Sequence, residues 1–204
     1  MRKAAHVLSL LLHPVWMPTF ALVLAFHTDP HLTFAFTARG QWMIIGMVFV
    51  MTALFPASSM FMLWRSGAVG QLAMPKRQER LVPLLLTLIY FGMAYYLLRR
   101  TPNSPATLAL FSGLIIALIA VLLINLRWKI SLHATGIGGL VGMCIGLGLV
   151  HGAQTGWLPG LFLLTGALGT ARLLVSDHTP AQVYAGAAIG ALATFGCIAF
   201  GIYY

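Results

Sequence analysis

Long apolar stretches alternate with short polar segments along the whole chain. Seven stretches approach the roughly 20 residues that a membrane-spanning helix needs, at about residues 5–27, 41–64, 83–98, 106–126, 134–151, 157–174 and 180–202. The third and the fifth are short, so the pattern predicts six to seven transmembrane helices. We therefore expect an all-α, polytopic membrane helix bundle that forms one domain over residues 1–204. The start of the chain could be a signal peptide that is cleaved off or a membrane span that is retained. We expect a retained span, because Pro14 and Pro18 interrupt the apolar stretch and no small-x-small cleavage site follows.

The composition agrees with a lipid environment. Only 7% of the residues are charged and 60% are hydrophobic, whereas a soluble domain has about 25% charged residues. The Lys and Arg residues behind the net charge of +9 lie in short loops between apolar runs. This distribution favours membrane lipids and phosphate groups over nucleic acid as partners. The pattern predicts an integral, multi-pass protein, and we expect it in the cell (inner) membrane.

Acidic residues are almost absent. The three in the chain are Asp29, Glu79 and Asp177, so no carboxylate pair is placed to hold magnesium, which disfavours metal-dependent prenyl or alcohol-phosphate transferases. Cys144 and Cys197 lie inside apolar runs, where we expect them to pack as small residues. We expect no metal and no cofactor.

Polar residues concentrate in three segments, at 76–83, 129–136 and 172–182. Two predicted spans separate the first segment from the second, and two more separate the second from the third. An even number of crossings returns the chain to the same membrane surface. We therefore expect the three segments to lie on one side and to converge.

Converged, these segments would form an anion site. They supply two histidines, His133 and His178, and hydroxyl groups from Ser131, Thr135 and Thr179. They also supply five cations, which are Lys76, Arg77, Arg80, Lys129 and Arg172. Phosphate is the common biological anion that suits arginine and hydroxyl donors. Two histidines beside a phosphate indicate covalent catalysis, in which one attacks phosphorus and the other protonates the leaving oxygen. Fixed cations can stabilise the phosphoryl charge without a metal.

The residues of the three polar segments resemble the signatures of the type 2 phosphatidic acid phosphatase superfamily, which is related to acid phosphatases and vanadium haloperoxidases. Its signatures are K-x6-R-P, P-S-G-H and S-R-x5-H-x3-D. Arg172 and His178 keep the spacing of the third signature, and Ser131 and His133 keep that of the second. The resemblance implies that His178 is the nucleophile and His133 the general acid, with Arg172 and Ser131 as phosphate ligands.

The first signature is matched loosely, and the resemblance covers about residues 72–195. Lys76 and Pro83 are present, but Val82 stands where the family has its Arg. Arg80 is a substitute for that Arg. The resemblance thus implies Lys76 and Arg80 as further phosphate ligands and a lipid phosphate or diphosphate as the substrate.

The main departure from the family is Gln182, which stands where the family has an Asp beside the nucleophile. Three lesser departures are Ala171 for Ser, Ile130 for Pro and Leu132 for Gly. A Gln carbonyl can accept the ring N–H of His178, but it cannot stabilise a growing positive charge. Loss of the analogous Asp in a serine protease costs roughly 10⁴ in rate, mostly through the wrong tautomer. We expect a smaller loss here, because Gln182 can hold the right tautomer.

The predicted function is therefore a metal-independent lipid phosphatase that works through a phosphohistidine. The alternatives are a weakened or inactive phospholipid-binding protein, a phosphoryl or lipid-headgroup transferase on the same site, and a small transporter. Each segment also has a structural interpretation: a positive loop for 76–80, a helix start for Ser131 and His133, and a Thr179-capped helix start with Pro180 in its first turn. No function is assigned to the other histidines, which are His6, His13, His27, His31 and His151.

The side of the membrane that the site faces stays open. Nine basic residues fall on the predicted site side, namely Arg2, Lys3, Arg65, Lys76, Arg77, Arg80, Arg127, Lys129 and Arg172. Three fall on the other side, namely Arg39, Arg99 and Arg100. The positive-inside rule then places the site in the cytoplasm. The family resemblance implies the opposite side.

Overall fold

The fold is entirely helical across the described part of the chain. A computed structural model describes residues 2–70, 77–175 and 178–202, and no strand occurs within those ranges. The α-helices, in chain order, are α1 (Arg2–Leu11), α2 (Met17–Thr28), α3 (Ala38–Phe49), α4 (Phe55–Arg65), α5 (Leu81–Arg99), α6 (Pro105–Asn125), α7 (Leu132–His151), α8 (Leu158–Val175) and α9 (Pro180–Ala199). The predicted all-α fold class is confirmed.

Seven helical segments are long and apolar enough to cross a membrane, which fits an integral, multi-pass membrane protein. They are Arg2–Thr28, Ala38–Arg65, Gln78–Arg99, Pro105–Asn125, Leu132–His151, Leu158–Val175 and Pro180–Ala199. The two stretches that looked short extend to 22 and 20 residues, because polar residues at their ends also adopt helical turns. The apolar pattern misses such ends, since it detects only the lipid-facing part of a helix.

The first segment is broken near its middle. Helix α1 ends at Leu11, and α2 begins at Met17 after a short 3₁₀ turn over Pro14–Trp16. Pro14 has no N–H to donate and cannot continue the α-helix. The amide of His13 bonds the carbonyl of Leu10 instead of continuing the ladder to Ser9. The Ser9 carbonyl is thereby left for another partner.

The second segment is continuous but contains a π-helical turn over Val50–Leu54. Pro56 follows in the first turn of α4, and its missing N–H removes one bond from the helical ladder. The Phe55 amide donates to the carbonyl of Val50, five residues back. This widened turn accommodates the proline without ending the segment.

Helix α7 is the centre of the bundle and packs in parallel against α9. A Cβ at Gly138 or Gly142 would overlap the backbone carbonyl of Ala187 or Ala191, and one at Gly190 would overlap that of Thr135. Glycines at these positions therefore let two backbones approach closely, as their spacing of four predicts. The Thr194 hydroxyl also donates across the pair to the carbonyl of Gly139, at 2.9 Å.

A carboxylate–histidine contact ties the chain together at the opposite end of the bundle. Asp29 is fully buried, and its Oδ2 lies 2.6 Å from Nδ1 of His151 at the end of α7. Its other oxygen accepts the amide of His31. These contacts fix the connection after α2 against α7.

Candidate functional site

The three polar segments meet at one end of the bundle. Arg80, at the start of α5, donates from Nη1 to the carbonyl of Ile130 at 3.3 Å. The amide of Ser131 donates to the carbonyl of Gln182 at 3.3 Å. These two bonds join the first segment to the second and the second to the third. Residues 71–76, which include Lys76, lie outside the described residues, as do Ser176 and Asp177.

His178 is positioned by the start of α9. Thr179 is the N-cap, Pro180 is in the first turn, and Gln182 completes a capping box, so the predicted helix start is confirmed. The Gln182 side-chain oxygen accepts the Thr179 amide at 3.2 Å and lies 3.0 Å from Nδ1 of His178. A backbone N–H can only donate, so this Gln182 atom is the oxygen and Nδ1 of His178 carries the hydrogen. The lone pair of His178 is therefore on Nε2.

Three cations lie within electrostatic range of His178. The charges of Arg80, Lys129 and Arg172 all act on its ring. Burial, followed by these charges, lowers the pKa of His178 to about 4, against the opposing effect of the hydrogen bond to Gln182. The imidazole is consequently neutral near pH 7. A neutral ring with a lone pair beside fixed cations is suited to attack an anionic phosphoryl group.

His133 is held by the first helical segment. Its Nε2 lies 3.0 Å from the carbonyl of Ser9, which is the carbonyl left over at the break after α1. Because a carbonyl only accepts, Nε2 carries a hydrogen and Nδ1 is the nitrogen left for chemistry. Arg172 and His178 are both within electrostatic range of the ring.

Ser131 acts as the N-cap of α7. It is fully buried, and its hydroxyl oxygen accepts the amide of Ala134 at 3.4 Å. The predicted helix start is confirmed here as well. The role of Ser131 as a phosphate ligand stays a prediction.

Arg172 is the cation common to the site. Its charge acts on Arg80, His133 and His178. It also acts on His13, a residue that the sequence analysis left without function. The His13 ring meets the ring of His133 edge to face, with 5.1 Å between centroids.

The signal for His13 in the sequence was its position rather than its spacing to other motifs. A histidine beside Pro14, at the interruption of an apolar span, is the kind of polar residue at membrane depth that needs a reason. Its contact partner lies 120 residues further along the chain, so no local pattern could connect the two.

An apolar cavity of about 390 Å³ opens beside the cations, a size typical of small-molecule sites. His13 and Arg80 line it at the polar end, and Leu84, Phe91 and Leu114 line it further inside. Phe91 is eleven residues beyond Arg80, or roughly 16 Å along the helix at 1.5 Å per residue. The cavity thus extends from the polar end of the bundle toward its apolar middle.

Across the described residues, no group of three His, Cys, Asp or Glu side chains is arranged to hold a metal ion. No model of a protein family matches the chain, and comparisons with curated proteins and with solved structures give no match either.

Proposed function

We propose that this protein is a metal-independent phosphatase of the cell membrane that hydrolyses a lipid phosphate or diphosphate through a phosphohistidine. In this proposal it is a divergent relative of the type 2 phosphatidic acid phosphatase superfamily. The observation that carries the proposal is His178, whose Nδ1 is engaged by Gln182 while Nε2 keeps its lone pair, with Arg80, Lys129 and Arg172 within electrostatic range of the ring.

The first step is attack on phosphorus. The Nε2 lone pair of His178 forms the N–P bond while the P–O bond to the lipid breaks. Arg80 and Arg172 stabilise the charge on the phosphoryl oxygens. Lys76 and Ser131 are the further ligands that the motif resemblance implies.

The second histidine handles the proton. The electron pair of the broken bond stays on the lipid oxygen, which takes a proton from the cationic form of His133, the form that the negative charge of the bound phosphate favours. The bond from Nε2 to the Ser9 carbonyl orients that ring, so Nδ1 is the proton donor. Neutral His133 then removes a proton from the water that attacks the N–P bond, which releases phosphate and restores His178.

The lipid part of the substrate would occupy the apolar cavity. One end of the cavity reaches Arg80, which is also one of the cations around His178. A headgroup at the cations therefore places its tail among apolar side chains, where burial of methylene groups stabilises the complex by about 0.8 kcal/mol each.

The experiment is a phosphate-release assay on the full chain in proteoliposomes. The substrates are phosphatidic acid and a polyprenyl diphosphate, each assayed with and without EDTA. We expect release that EDTA does not change and that His178→Ala lowers by at least about 10³-fold, since the nucleophile is gone. The matched control is His6→Ala, because His6 is an exposed histidine on α1 and its loss should leave the rate unchanged.

The same assay separates the alternatives. Equal release by wild type and His178→Ala would overturn the role of His178. Saturable binding of both lipids without release would support the phospholipid-binding alternative. Transfer of the phosphoryl group to added glycerol in preference to water would support the transferase.

A further inference from the structure

His13 stands where the apolar cavity meets the cations. Among the described residues that line the cavity, His13 and Arg80 are the two with ionisable side chains. His13 is exposed to this space, and Arg172 is within electrostatic range of its ring. A lipid with its tail in the cavity and its phosphoryl group at the cations would place its bridging oxygen at this boundary.

The hydrogen bonds of His13 fix which nitrogen carries the hydrogen. Its Nδ1 accepts the amide of Val15 at 3.3 Å. Since that amide can only donate, Nδ1 has the lone pair and Nε2 of the neutral ring has the hydrogen. Nε2–H is a donor that the backbone turn does not occupy.

The break in the first helical segment holds this donor in place. His13 is the N-cap of the 3₁₀ turn over Pro14–Trp16, with Pro14 directly after it. Its ring also rests against His133, which is itself bonded to Ser9 just before the break. The ring is thus supported from its own turn and from α7, as a preorganised donor requires.

We propose that His13 is a third histidine of the site and donates a hydrogen bond from Nε2 to the oxygen that joins the phosphoryl group to the lipid. This inference rests on the proposed function. As the P–O bond breaks, its electron pair collects on that oxygen, and the donor stabilises the growing charge. His13 keeps its own proton throughout, and the proton that the oxygen finally takes comes from His133. A neutral imidazole can serve as such a donor without changing its charge.

The test compares leaving groups rather than overall activity alone. Wild type, His13→Leu and His13→Gln are assayed in detergent with phosphatidic acid, whose alkyl oxygen is a poor leaving group, and with 4-nitrophenyl phosphate, whose aryl oxygen leaves easily. We expect His13→Leu to lower kcat on phosphatidic acid by about 10²-fold, as for one lost oxyanion donor. The loss on the aryl ester should be at least tenfold smaller. His13→Gln, which keeps a side-chain N–H, should recover most of the alkyl rate.

Each other outcome counts against a distinct claim. Equal losses on both esters, or no rescue by Gln when all variants show the same thermal unfolding midpoint, would overturn the role of His13 as a donor. An unchanged rate in His13→Leu would do the same and leave the proposed function standing. A wild type that releases no phosphate from either ester would overturn the proposed function and this inference together.

Discussion

A single neutral oxygen orients His178, the proposed nucleophile. The side-chain oxygen of Gln182 accepts the Thr179 amide and the Nδ1 hydrogen of His178 together. The capping box fixes Gln182, so the orientation of His178 depends on the same atoms that begin α9. Gln182 thus orients the ring of His178 without adding a negative charge. An imidazolium formed after attack would have no anion at position 182 to stabilise it.

The first prediction concerns Gln182→Glu. Glutamate has the same length and can complete the same capping box, and its negative charge would stabilise the cationic ring. We expect kcat on phosphatidic acid to rise about tenfold, within the roughly 10⁴ that such a carboxylate contributes in serine proteases. Gln182→Leu is the matched control, because it removes the acceptor and should lower kcat. A Glu variant that folds normally but is no faster would contradict the role assigned to Gln182.

The second prediction concerns pH. His178 attacks only when neutral, and its pKa is lowered to about 4, chiefly by burial. We therefore expect kcat/KM to fall as the pH drops through about 4, where His178 becomes protonated. In Gln182→Glu the carboxylate favours the protonated ring, so this fall should move to higher pH. An acidic limb near 6.5 in the wild type would show that His178 is not held as described.

The sequence predicts the short-range contacts of the site histidines better than their long-range contacts. The link between His178 and Gln182 spans four residues at a helix start, where spacing determines proximity. The contacts of His133 with Ser9 and His13 join helix α7 to the first helical segment, which is far away in the sequence. They depend on how α1 packs, which the local pattern of the sequence does not specify.

At the scale of helices, the site rests on the close pair formed by α7 and α9. Both helices begin at the site, α7 at Leu132 and α9 at Pro180. Their glycines bring backbone against backbone, so little side-chain volume separates the two starts. The apolar pattern was enough to predict six to seven membrane-spanning helices. The two prolines of the first stretch indicated its interruption, but the pattern did not predict the π-helical turn, which depends on how backbone hydrogen bonds rearrange before Pro56.

The third prediction compares two glycines of α9. A Cβ at Gly190 would overlap the backbone of α7, whereas a Cβ at Gly196 meets nothing within 4 Å. Gly190→Ala should lower the unfolding midpoint in detergent and reduce phosphate release, with a destabilisation of about 1–3 kcal/mol from overpacking. Gly196→Ala should leave the midpoint unchanged or raise it slightly, because alanine favours the helix. Equal midpoints for the two variants would argue against tight packing at Gly190.

At the scale of the whole molecule, the order of the helices sets which loops share a membrane face. With seven crossings, the loops after α4 and α6 lie on the side of the site, and the loop after α7 lies on the other. Charge counting could not decide which face is cytoplasmic, since the positive-inside rule and the family resemblance disagree. The relative arrangement follows from the number of crossings alone.

The fourth prediction tests that arrangement by cysteine labelling. The buried Cys144 and Cys197 are first replaced by alanine. Single cysteines are then introduced as Ser66→Cys, Trp128→Cys or Gln154→Cys, at exposed loop positions. In sealed vesicles, a membrane-impermeant maleimide should label positions 66 and 128 from the same side of the membrane and position 154 from the opposite side. Labelling of all three from one side would contradict seven crossings.

The bond from the Ser131 amide to the Gln182 carbonyl has a consequence for how this chain tolerates change. Both atoms belong to the main chain, so the bond uses neither side chain, and at position 131 only proline would remove the donor. This link between the starts of α7 and α9 is thus separate from the capping contacts that the side chains of Ser131 and Gln182 make. An amide at position 182 can therefore be exchanged for a carboxylate without loss of this main-chain link between the two helix starts.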